Sequence, residues 1–229
     1  MSRHTPVGTA AALIVLLLLP PALVAGCGGD GPADRPHPAF SAAGGSLGDV
    51  LVVVADEDFQ DAEFWALRDG LVEAGHRPVV ANGSGGESKG MDGTTVPADL
   101  AVADANAADY AAMVIVGGPG AEQYWDDAGV QELVRRMCAE GKTVGAICLA
   151  PVVLARAGVL QGRKATVWED NRDDLAAAGC SVQNEAVVVD GLIVTGDGPD
   201  AAEEFAQAFI ATLSASRHGL TPLPPDKTP

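Results

Sequence analysis

The chain has 229 residues, a formal net charge of −17 and a composition that is 48% hydrophobic but only 4% aromatic. That acidity excludes nucleic acid and an anionic membrane face as partners held by charge. An aliphatic, Gly-rich chain without a visible internal repeat suits one core of alternating strands and helices.

The first segment reads as an address rather than as fold. Arg3 and His4 precede an apolar run over residues 10–19, which Pro20-Pro21 breaks too early for a membrane span. Val24-Ala25-Gly26-Cys27 then resembles the lipobox of bacterial lipoproteins. Residues 1–26 are expected to be a signal peptide, with Cys27 diacylated and anchoring an exported protein on the extracytoplasmic side, periplasm or cell surface. The alternative is an ordinary secretory signal cut nearby. Residues 27–48, rich in Gly, Pro, Ala and Asp, read as a flexible tether, and residues 216–229 as a disordered tail. Residues 49–215 are left for one folded domain, ample for a core.

Within it, residues 49–55 (D-V-L-V-V-V-A) are a continuous apolar run, as in a strand buried on both faces, and Asp56-Glu57-Asp58 follows as an acidic loop. Residues 61–74 are predicted helical, with Phe64, Leu67, Leu71 and Ala74 at helix spacing and Gly75 as the stop. Residues 78–81 make a second strand, 83–90 a polar loop, and 93–102 short strands on one edge. Residues 111–116 are another buried strand ending in Gly117-Gly118-Pro119-Gly120. The next helix carries Val130, Leu133, Val134 and Met137 on one face and closes at Gly141. Residues 143–147 form a strand and 149–157 a helix. After them come a strand over 165–168, a short helix over 172–178, a hairpin about Gly191 and a last helix over 201–213. This alternation predicts a three-layer αβα sandwich with a mostly parallel sheet.

Three strand ends, at Ala55, Val116 and Ile147, are expected to meet on one edge, where open α/β sheets bind their ligands. Cys148 falls at the third, on a strand-to-helix junction flanked by Ala146 and Ala150. Such a junction has the logic of a nucleophile elbow, with the sulfur exposed and ionised near the first turn of the helix. The bland alternative is a buried structural cysteine. Glu63 lies at the margin of the apolar face of its helix. There a raised pKa would let the protonated carboxyl donate to a thiolate; otherwise it is a first-turn acid favoured by the helix dipole. The N–H groups of Gly117, Gly118 and Leu149 could make an oxyanion hole, or a plain turn. No His/Cys pair has metal-ligand spacing, and Asp56-Glu57-Asp58 and Glu169-Asp170 suit solvated loops better than a calcium cage. No metal and no cofactor are expected.

Residues 52–63 (V-V-V-A-D-E-D-F-Q-D-A-E), 114–120, 141–162 (G-K-T-V-G-A-I-C-L-A-P-V-V-L-A-R-A-G-V-L-Q-G) and 185–191 together resemble the ThiJ/PfpI family of the class I glutamine-amidotransferase-like superfamily. The resemblance spans residues 49–213. It implies a flavodoxin-like sandwich, usually a homodimer, with a nucleophilic or oxidation-sensitive cysteine at Cys148. It places the hydrogen-bonding glutamate at Glu63 and the oxyanion amides at Gly118 and Leu149. Peptidase-like members have His where this chain has Leu149, and Glu where it has Gln60. The downstream His of glyoxalases and deglycases corresponds to Trp168, here a substrate-binding candidate. Beyond the signal, only His37, His76 and His218 remain, none placed to serve as general base.

A Cys-His-acid peptidase is therefore not expected. The expectation is a Cys148–Glu63 domain acting on a small electrophile, a carbonyl or isocyanide, as a hydratase, glyoxalase or deglycase does. The alternatives are a cysteine redox sensor or stress-protective lipoprotein, and a ligand-binding protein that kept the fold without the chemistry. A Cys138–Cys180 bridge is conceivable in an oxidising compartment, but the apolar side of its helix alone accounts for Cys138.

Overall fold

Apart from Met1, the computed structural model describes residues 47–217, all within one compact unit. The signal peptide, Cys27, most of the tether and residues 218–229 of the tail lie outside the described residues. The elements are β1 (Asp49–Val53), β2 (Glu57–Phe59), α1 (Asp61–Glu73), β3 (Arg77–Asn82), β4 (Glu87–Gly90), β5 (Thr95–Pro97), β6 (Leu100–Ala101) and β7 (Ala112–Ile115). They continue as α2 (Ala128–Ala139), β8 (Thr143–Ile147), α3 (Pro151–Arg156), β9 (Lys164–Ala165), α4 (Arg172–Ala177), β10 (Ser181–Val182), β11 (Val187–Asp190), β12 (Ile193–Gly196) and α5 (Ala202–Arg217).

The main sheet runs β11-β12-β8-β7-β1-β3-β6, and every pair is parallel except the β11–β12 hairpin. Successive residues of β1 point to opposite faces, and both faces are dry. Val50 and Val52 meet Phe64, Leu67, Phe205 and Phe209 of α1 and α5. Leu51 and Val53 join the cluster of Val134, Met137, Val153 and Leu175 from α2, α3 and α4. The unbroken apolar runs of β1, β7 and β8 follow from that two-sided burial, which makes the predicted three-layer sandwich. From β1 the chain moves to β3 on one side and later returns to β7 on the other. The switch point therefore lies between β1 and β7, with β8 next in the sheet.

Five local expectations need correction. Residues 83–90 are not all loop: 87–90 form β4, which with β2 and β5 makes a separate three-stranded sheet. Its inward positions are Ser88 and Gly90, so no apolar alternation betrays it. For the same reason Asp56-Glu57-Asp58 does not stay a free acidic loop, since Glu57 and Asp58 enter β2. The strand expected at 165–168 shrinks to Lys164–Ala165, paired with Ser181–Val182 outside the main sheet. Past Ala165 the chain leaves that pairing because the Trp168 N–H bonds the Cys148 carbonyl. The helix after β8 starts at Pro151 rather than Leu149, because Cys148 has a positive φ that no helix admits. At the far end α5 runs to Arg217, two residues past the expected domain limit, where Arg217 donates to the Leu47 carbonyl.

Candidate active site

Cys148 stands immediately beyond β8 with φ +61°, one of only two non-glycine residues in the left-handed region among the described residues. Its backbone is held from both sides: its N–H donates to the Gly196 carbonyl and its own carbonyl accepts from Trp168, each at 3.0 Å. Leu149 is fixed in turn by the Trp125 indole, which donates to its carbonyl at 3.1 Å. A cysteine in this conformation costs on the order of 1–2 kcal/mol, which the surrounding hydrogen bonds must offset.

Glu63, in the first turn of α1, is fully buried. The N-cap Gln60 starts that helix by accepting from the Ala62 N–H, and the Gln60 N–H donates to the Gly117 carbonyl, which docks α1 against the turn after β7. One Glu63 oxygen, Oε2, accepts the Gly117 N–H at 2.8 Å. The other, Oε1, is buried without a partner of strict hydrogen-bond geometry, and the Cys148 thiol is the side chain with which the carboxyl interacts. Burial pushes the Glu63 carboxyl up to about 8, against the smaller opposing pull of the Gly117 N–H and the thiol.

The sulfur differs from expectation. Cys148 is only 5% exposed, and burial followed by the Glu63 charge pushes its thiol up to about 12. Only the N–H groups of Gly118 and Leu149 pull it down, each by less than burial or the Glu63 charge pushes it up. An exposed thiol ionised at neutral pH is thus replaced by a shielded sulfur that shares its protons with a carboxyl. A second correction concerns Gly117, whose N–H is committed to Glu63 and so cannot serve an oxyanion. The amides directed at the sulfur are those of Gly118 and Leu149.

Glycine is required at 117 and 118. A Cβ on Gly117 would stand 2.5 Å from the Cys148 Cβ and 2.8 Å from Glu63 Oε2. Gly118 has φ +95°, and a Cβ there would strike the Asp58 carbonyl and come within 2.6 Å of the Gln60 nitrogen. Neither clash can be relieved by a flexible side-chain end except at Glu63.

The sulfur opens onto a cavity of about 430 Å³ shared by Gly118, Leu149 and Trp168, while Glu63 and Gly117 lie behind it. The structure therefore brings all six predicted site residues of the domain together, four on the cavity wall and two in the layer beneath. Residues that sequence reasoning did not assign to the wall are Met91, Pro119, Glu122, Asn171 and Pro199, with Gln60 noted only as a departure. They come from four separate loops at no fixed spacing, so no motif could have gathered them. Asp170 of the second acidic run reaches the cavity rim. Asp56 instead pins loops together, accepting from the Ser84 N–H and the Gln123 amide.

Among the described residues the single histidine, His76, is buried before β3 at the opposite end of the sheet, against the Gly48 carbonyl. No imidazole of the described residues lines the cavity. Cys138, Cys148 and Cys180 are all free thiols, and the Cys180 thiol donates to the Arg163 carbonyl. No cluster of metal-ligating side chains occurs among the described residues.

With this geometry in hand, known proteins give a consistent comparison. A 40% identical protein of Methanocaldococcus jannaschii, uncharacterized, aligns over 167 residues, 72% of this chain and 82% of its own. A deglycase of Pyrococcus abyssi is 35% identical over 164 residues, 72% of this chain and 98% of that one. A solved ThiJ/PfpI domain protein from Brachyspira murdochii superposes with a TM-score of 0.72 at 29% identity, covering 75% of this chain and 99% of its own. That superposition bears out the flavodoxin-like sandwich. The sequence profile of the DJ-1/PfpI family matches residues 49–212, and the chain belongs to that family.

Proposed function

We propose that the domain is a cysteine-dependent enzyme, a hydrolase or lyase, acting on a small electrophile, with Cys148 as nucleophile and Glu63 as the group that moves its proton. The observation that carries this is the buried Cys148–Glu63 pair with two amides aimed at the sulfur, opening on a cavity of small-molecule size. In the common first step the sulfur attacks the electrophilic carbon and a C–S bond forms. With a carbonyl, the π pair moves to oxygen, and the thiol proton reaches that oxygen through the Glu63 carboxyl. The Gly118 and Leu149 N–H groups, directed at the sulfur, are assigned to the developing negative charge beside it. With an isocyanide, the same addition gives a thioimidate, which water cleaves to an N-substituted formamide with return of the thiol. Deglycase activity in the Pyrococcus relative supports the carbonyl branch. Leu149 at the position of the peptidase histidine argues against peptide hydrolysis.

The test is a turnover screen of small aldehydes and isocyanides with Cys148→Ser as blank. Consumption by the wild type alone is expected, and equal rates in the two proteins would overturn the mechanism. The same arrangement favours a second reading, a thiol oxidised by peroxide to a sulfinic acid held by Glu63. Two oxygens gained on the Cys148 peptide at mild peroxide, with no turnover in the screen, would establish it instead.

The chain is further proposed to be exported and lipid-anchored through Cys27, on the strength of Val24-Ala25-Gly26-Cys27 after an apolar run. Palmitate incorporation lost in Cys27→Ser would confirm this. A homodimer belongs to the same proposal and is checked by light scattering.

A further inference from the structure

We propose that the Cys148 cavity selects uncharged or cationic electrophiles with a small apolar body and rejects anionic ones, such as 2-oxo acids. The inference rests on the nucleophile reading and names its substrate class.

The cavity wall has two chemical parts. Met91, Pro119, Leu149, Trp168 and Pro199 give it an apolar surface fit for a short hydrocarbon or ring. Its charged members are Glu122 and Asp170, both exposed at the rim, and no Lys, Arg or His lines it. A neighbouring pocket of about 260 Å³ shares Trp168 and Pro199 with it and adds Glu169, Asp197 and Asp200. Arg172 is the cation of that pocket. Its guanidinium donates to Asn184 and faces Asp197, while its Nε is buried without a partner; it lines that pocket and not the sulfur's cavity. Exposed carboxylates at the rim and in the adjoining pocket, on a chain of net charge −17, make the potential at the entrance negative. An approaching anion meets that field with no counter-charge at the bottom, where the donors are only two neutral amides.

The experiment labels intact protein with three methanethiosulfonate reagents of like size, bearing a trimethylammonium, an uncharged methyl and a sulfonate group. Modification of Cys148 is followed by peptide mass, and each rate is divided by that for 2-mercaptoethanol. At low ionic strength the cationic reagent is expected to outpace the anionic one by about 10-fold or more, with the gap closing at high salt. Glu122→Gln with Asp170→Asn should remove most of the preference; both residues are exposed, so the fold is not at risk. An anionic rate equal to the cationic one, or a preference unchanged in the double variant, would overturn the proposal. Failure of all three reagents to reach Cys148 would refute an open cavity, and the nucleophile with it. Charge-selective labelling without turnover in the electrophile screen would instead sink the catalytic reading and leave this one standing.

Discussion

Replacing Glu63 by glutamine keeps the shape of the side chain, preserves an acceptor for the Gly117 N–H and removes the charge beside Cys148. Two charges roughly 4 Å apart at an effective dielectric near 20 repel by about 4 kcal/mol, or about 3 pK units. The Cys148 thiol, pushed up to about 12 by burial first and by the carboxylate second, should then ionise at lower pH in Glu63→Gln, by up to that amount. In the wild type the first proton leaves the pair near 8, mostly from Glu63, so sulfur holds only a small share of the charge until the second step. Iodoacetamide labelling of Cys148 should therefore rise to about pH 8 in the wild type and flatten. In Glu63→Gln it should keep rising and exceed the wild type near about pH 10. A variant slower than wild type at that pH, or a wild-type profile with one step near pH 9 and no plateau, would refute a proton shared between these side chains.

Three further outcomes follow from the same geometry. Glu63 has a folded pKa raised to about 8 from an ordinary 4.5, so its contribution to stability is fully present below 4.5 and is lost as pH rises through 8. Urea unfolding should show a loss of up to roughly 5 kcal/mol over that window, absent in Glu63→Gln. Gly118→Ala forces a Cβ onto the Asp58 carbonyl at φ +95° and should cost about 3 kcal/mol or more, seen as a lower denaturant midpoint. Asp61→Ala removes a buried carboxylate that accepts from the Asp92 and Thr94 N–H groups at 2.9 and 3.1 Å. A loss of about 2–4 kcal/mol and faster proteolysis between β4 and β5 are expected.

The layered architecture was legible because β1, β7 and β8 are apolar on both faces, a pattern only a covered parallel sheet uses. The small β2-β4-β5 sheet was not, since its inward positions hold Ser88 and Gly90, which carry no hydrophobic signal. Cys148 and Glu63 stood out through local context, a strand-to-helix junction and the edge of a helix stripe. What the string of residues does not carry is direction. The Gly117 N–H turns back to Glu63 whereas that of Gly118 faces the sulfur, a difference of one peptide-plane orientation. The shielding of the thiol was equally hidden, because it depends on how far Leu149 and the carboxyl stand from it in space. Met91 and Pro199 reach the cavity from loops more than a hundred residues apart, where periodicity has nothing to say.

The φ of +61° at Cys148 sets a standing tension between endurance and reactivity at that position. Judged by folding alone, the site belongs to glycine, which would relax the backbone and leave Glu63 without an ionisable neighbour. Every other side chain there carries the same torsional burden without bringing a thiol in return. The thiol is thus held in a loaded posture at the sheet edge, and a scaffold that drifted toward greater robustness would discard it among the first things it could release.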